Sequence, residues 1–67
     1  MTFGKYMQSV MSLLVTLHSW DDPYGSISPD NDGSDKVIDA IFDAFMHMRS
    51  PKQASLEAHN AWISTGH

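Results

Sequence analysis

Between Phe3 and Leu17 the apolar residues fall at positions 3, 6, 7, 10, 13, 14 and 17. Steps of three and four put them on one side of a helix. The spacing predicts a first helix over about 2–20, with Thr2 placed to accept a backbone N–H as its N-cap. Met11 and Val15 lie off this stripe and widen the apolar surface beyond what one neighbour would cover. Pro23 is the expected stop, because the residue before a proline avoids the αR region. A second periodic run predicts a helix over about 34–49, with Ile38, Ile41, Phe42, Phe45 and Met48 on its buried face and Val37 and Met46 extending it. Ser34 is its expected cap, and Asp35 lies near its positive end. The clearest local signal is Ser50-Pro51-Lys52-Gln53. Serine at the N-cap, proline at the first helical position and glutamine at the third make a capping box. A third helix over about 51–64 follows, carrying Ala54, Ala58, Ala61 and Trp62 on one face, with Gly66 as its αL terminator.

The intervening stretch Asp21–Gly33, DDPYGSISPDNDG, holds two prolines and two glycines. It reads as a long acidic loop with room for a short helical turn. The expected fold class is therefore all-α, a small three-helix bundle forming a single helical domain over 1–67.

Composition narrows the chemistry. A chain of 67 residues buries only ~60% of its unfolded surface, so a helical core must suffice or a partner must complete it. The absence of cysteine excludes disulfides, thiolate metal sites and thiol nucleophiles. With 42% apolar and 18% charged residues the chain is a folded domain rather than a disordered tail. Tyr6–Leu17 is too short and too polar to span a bilayer, and the N-terminus lacks the pattern of a signal peptide, so a cytoplasmic protein without membrane association is expected.

The charge is unevenly placed. Seven of the eight acidic residues lie between Asp21 and Asp43 with Lys36 as the one base there, a formal charge of minus six, while the whole chain carries minus four. Asp35, Asp39 and Asp43 recur every fourth residue and share a helix face opposite Ile38, Phe42 and Phe45. Such a stripe is either a solvated face or a negative patch that meets a basic protein surface. The candidate partner-binding residues are Asp21, Asp22, Tyr24, Asp30, Asp32, Asp35, Asp39 and Asp43. Direct nucleic-acid binding is not expected, because four basic residues cannot supply the phosphate contacts that dominate such affinity.

Ser28-Pro29-Asp30-Asn31-Asp32-Gly33 invites a calcium reading. With Gly33 at loop position 6, Ser28, Asp30, Asp32 and Asp39 fall at the ligand positions 1, 3, 5 and 12. Serine at position 1, aspartate in place of the bidentate glutamate, and Asp35 where an apolar residue belongs all argue against it. A turn rich in Asp, Asn, Ser and Gly for conformational reasons accounts for the stretch. His18, His47 and His59 fall one per helix without an i, i+4 histidine or glutamate partner. No nucleophile elbow or phosphate loop is present, and His18 with Asp21 or Asp22 is the one acid–base pairing on offer. Neither an enzyme nor a cofactor is expected. Trp20, Tyr24 and Trp62 are the aromatic residues expected at the loop-facing end.

Phe3-x-x-Tyr6-Met7, Asp21-Asp22-Pro23-Tyr24-Gly25 and Ala61-Trp62 together resemble the small YozE-type, sterile-alpha-motif-like helical proteins of bacteria and their phages. That resemblance implies a compact helical fold and no established activity. The Phe-Pro pair of that pattern is missing here, and Thr65 stands where its closing tyrosine would be. The resulting expectation is a small non-enzymatic protein-binding or regulatory protein of bacterial or phage origin. One concrete form is an inhibitor of a host nucleic-acid-handling machine, whose basic groove an acidic surface would fit. Self-association into a homodimer through the first helix is the alternative, with a calcium protein using residues 28–39 behind it.

Overall fold

The computed structural model describes residues 2–28, 30–31 and 33–66. Among them four helices follow in chain order, α1 Phe3–His18, α2 Pro23–Ser26, α3 Ser34–Met46 and α4 Pro51–Ser64, and there is no strand. The all-α class is as expected, and the element boundaries differ in three places.

The hydroxyl of Thr2 accepts the Lys5 N–H at 3.3 Å and opens α1. The helix closes before the proline rather than at it. Ser19 takes the left-handed conformation with φ 60°, and the amides of Ser19 and Trp20 both donate to the Leu14 carbonyl. Asp22 then accepts the Gly25 N–H at 3.1 Å with Pro23 at the first position of α2. Part of the anticipated loop is thus a capped helical turn. Asn31 donates to the carbonyls of Gly25 and Ser26, both at 2.9 Å, and ties the next stretch of chain to it.

At the start of α3 it is Gly33, not Ser34, that stands at the N-cap, with φ 87° and no side-chain cap. Ser34 lies inside the helix and is buried. A Cβ on Gly33 would meet Thr65 Cβ at 2.7 Å, so both the positive φ and the neighbouring chain require glycine there. The helix ends at Met46 instead of Arg49, because Met48 is left-handed with φ 57° and the Arg49 amide returns to the Ala44 carbonyl at 2.9 Å. The Tyr6 hydroxyl donates to the Arg49 carbonyl at 2.9 Å and fastens this reversal to α1. In α4 the Ser50 hydroxyl accepts the Gln53 N–H at 3.2 Å, whereas the Gln53 side chain reaches forward to Glu57 at 3.1 Å. Only half of the capping box is therefore made. Gly66, at φ 100°, follows the last turn as expected.

The core draws Tyr6, Val10, Met11 and Leu14 from α1, Val37, Ile41 and Ala44 from α3, and Ala54 and Ala58 from α4, with Trp20 at one end. Two expectations fail here. Met11 is only 4% exposed: it is not surplus apolar surface, because α1 packs against both α4 and α3. On α3 Val37 and Ile41 are buried as expected and Phe45 is half-buried, but Ser34 and Ala44 complete the buried face, and Ile38, Phe42 and Met48 of the expected stripe turn outward. The cause is the partner helix. α3 packs chiefly on α4, whose inner face is Ala54, Ser55 and Ala58. Small side chains let the backbones approach closely, and that gap holds valine, isoleucine and alanine but no bulkier row. Ile38, Phe42 and Met46 are left 38%, 49% and 62% exposed, and Met48 93%.

Candidate interaction surface

The rotation of α3 gives its outer face two parallel rows. Asp35, Asp39 and Asp43 form one, spaced by four, and all are exposed. Ile38, Phe42 and Met46 form the next, each three residues beyond an aspartate, so Ile38 and Phe42 are neighbours of the acidic row on the helix surface and not opposite it as expected. The apolar row is anchored from beneath. Phe42 meets the Phe3 ring at 5.4 Å, Phe3 meets Phe45 at 5.2 Å, and Phe45 meets Tyr6 at 5.1 Å, all in tilted or edge-on geometry. Beyond Phe45 the surface opens into a cleft of about 370 Å³ lined by Tyr6, Phe45, Met48, Arg49 and Pro51.

The acidic row is not uniform. Asp43 pairs with Arg49 at 3.0 Å and with His47 at 3.3 Å, and Arg49 also holds Glu57 at 3.0 Å. The end near α4 is thus partly neutralised by one guanidinium between two carboxylates. Asp35 accepts the Lys36 N–H at 3.0 Å within the first turn. The remaining candidates lie on other elements. Asp21 and Asp22 precede α2, the exposed Tyr24 is within it, and α2 packs on α1. Asp30 is exposed and its N–H donates to the Ser28 hydroxyl at 3.2 Å. Asp32 lies outside the described residues. Of the expected partner-binding set, the row on α3 is the group that shares one helix face.

In the stretch that suggested calcium, the Ser28 hydroxyl accepts the Asp30 N–H at 3.2 Å and Gly33 takes the left-handed conformation with φ 87°. Among the described residues no three histidines, aspartates or glutamates are grouped so as to hold a metal ion.

A second cluster, unmarked by any spacing in the sequence, lies at the far end of α1. The His18 and His59 rings stack with centroids 4.5 Å apart and planes at 21°. The buried Trp20 indole N–H donates to His59 Nδ1 at 3.0 Å, and its ring lies 5.2 Å from that of Trp62. Burial and then the neighbouring His59 hold the His18 pKa below the ordinary value of 6.5. Trp20, Asp21, Ser26, His59 and Trp62 line an open groove of about 410 Å³ here. Trp20 and Trp62 thus meet as an aromatic pair, while Tyr24 stands apart on the surface of α2.

Comparison with protein-family models, with curated proteins and with solved structures finds no match for this chain. Among the described residues no helix is long and apolar enough to cross a membrane.

Proposed function

We propose that this chain is a small non-enzymatic binding protein that docks on a basic surface of a protein partner through the outer face of α3. The observation that carries the reading is the pair of adjacent rows, Asp35/Asp39/Asp43 and Ile38/Phe42/Met46. A solvated helix face has no use for a row of large apolar side chains, and apolar surface rimmed by charge is the usual composition of a docking site. The acidic row supplies steering and register, and the apolar row supplies the burial that slows dissociation. An inhibitor from a bacterium or phage that occupies the basic groove of a nucleic-acid-handling protein is one form of this reading. The YozE-type resemblance stands beside it as a proposal of kinship, resting on the opening, Asp-Asp-Pro and Ala-Trp residues.

The test is retention of proteins from a bacterial lysate by tagged wild type, Asp39→Lys and Phe42→Ser. Asp43 is left intact because it holds Arg49. A protein retained by wild type and lost by both variants supports the reading. Equal retention by all three refutes it. Exposed Val15 and Leu17 on α1 favour self-association as the second reading, and sedimentation of Leu17→Lys against wild type separates the two.

A further inference from the structure

We propose that His18, His59 and Trp20 form an acid-sensitive latch, which holds the segment between α1 and α2 against α4 at neutral pH and releases it when the imidazoles take up protons. The argument starts from the Trp20 indole, which can only donate. Because it donates to His59 Nδ1 at 3.0 Å, that nitrogen carries a lone pair, and the His59 proton resides on Nε2. A second proton has one place to go, the same Nδ1. Protonating His59 therefore removes the acceptor and leaves the N–H of Trp20, a residue only 9% exposed, without its partner. The stack adds a second penalty, since two imidazolium rings 4.5 Å apart repel.

Asp21 lines the groove on the α2 side, to which α2 itself brings Ser26, and Lys52 of α4 lines a shallow cleft that His18 borders on its other side. The His18 shift is set by burial and then by His59 rather than by either of these charges. The direction of the His18 shift agrees with the geometry. Well above 6.5 the ring is neutral folded or unfolded, and the pair costs nothing. As pH falls through 6.5 the unfolded chain binds a proton that the folded chain resists, so stability declines until the lower folded value is passed. What loosens is the segment Ser19–Asp22 with α2 behind it, including the exposed Tyr24.

The experiment follows the Trp20 indole N–H by heteronuclear NMR between about pH 7.5 and about pH 5, assigned with Trp62→Phe, alongside thermal melting. In wild type the indole resonance is expected to move upfield as its bond is lost, and the midpoint to fall by roughly 5 °C. His59→Gln keeps an acceptor oxygen that does not titrate and should flatten both responses. If that variant does not fold, His18→Gln, altered at the half-buried rim, should shrink the fall in midpoint by removing the repulsion. An indole resonance that stays fixed across the range, a wild-type indole response reproduced in full by His59→Gln, or a wild-type fall in midpoint reproduced in full by His18→Gln overturns the latch.

Discussion

Replacing Tyr6 by phenylalanine isolates a single atom that joins three helices. The hydroxyl donates to the Arg49 carbonyl at 2.9 Å, at the reversal between α3 and α4, from a ring on α1 that is 4% exposed. The substitution keeps that ring and its edge-on contact with Phe45 at 5.1 Å, so little packing is lost. What remains is one neutral hydrogen bond and a partly buried carbonyl deprived of its donor, about 1 kcal/mol with an upper bound near 3. In a domain of this size 1 kcal/mol lowers Tm by about 4–8 °C. Urea unfolding followed by circular dichroism should therefore show a lower midpoint at unchanged slope. There is also a signature in pH. Burial, then Glu57, raises the Tyr6 pKa above 10.0, with Arg49 opposing. The folded state thus favours the protonated phenol, and its advantage is complete below about 10 and lost as pH rises through the folded value. Wild type should lose stability at the alkaline end more steeply than Tyr6→Phe. A phenylalanine variant as stable as wild type at pH 7, or with the same alkaline slope, would show that the hydroxyl does not fasten the reversal.

The observed face of α3 predicts that Ile41→Ala costs about 2–5 kcal/mol, while Met48→Ala, at a residue 93% exposed, stays within about 0.5 kcal/mol; similar losses from both would return the buried face to the sequence-based stripe. Met48→Gly should raise the unfolding free energy by about 1 kcal/mol, because a left-handed residue with a Cβ costs about 1–2, and denaturant titration decides it. Gly33→Ala should destabilise by more than about 1 kcal/mol through the same strain and the approach of Thr65, and an unchanged midpoint refutes the packing. Calcium added to millimolar levels should leave the melting temperature unmoved, and a saturable rise would revive the loop reading.

Much of the architecture was legible because helix periodicity and caps are local. Thr2 and Ser50-Pro51 mark two helix starts in the sequence itself, whereas Pro23 reads there as a stop and opens α2 in the structure. The ends were harder, since Ser19 and Met48 adopt left-handed backbone without being glycine, and no residue type announces that. The buried face of α3 was misjudged because hydrophobicity ranks Phe42 and Ile38 above Ala44. Which of them goes inside depends on the neighbour, and the small inner face of α4 selects the compact side chains. That same misjudgement hid the apolar half of the candidate surface, while the acidic half was visible from its spacing. The His18–His59 stack joins residues far apart in the chain, and only the packing of α1 on α4 brings them together.

The central claim is that two rows of α3 act together on a basic partner, and binding kinetics test it most directly. The protein retained by wild type would be flowed over immobilised wild type, Asp39→Lys and Phe42→Ser at low and high salt. The account predicts that Asp39→Lys chiefly slows association and loses much of the salt dependence. Phe42→Ser should chiefly speed dissociation, as loss of a buried aromatic anchor worth about 2 kcal/mol or more requires. Unchanged rates in both variants, with wild-type association indifferent to salt, would contradict the claim and leave the outer face of α3 as solvent-facing surface alone.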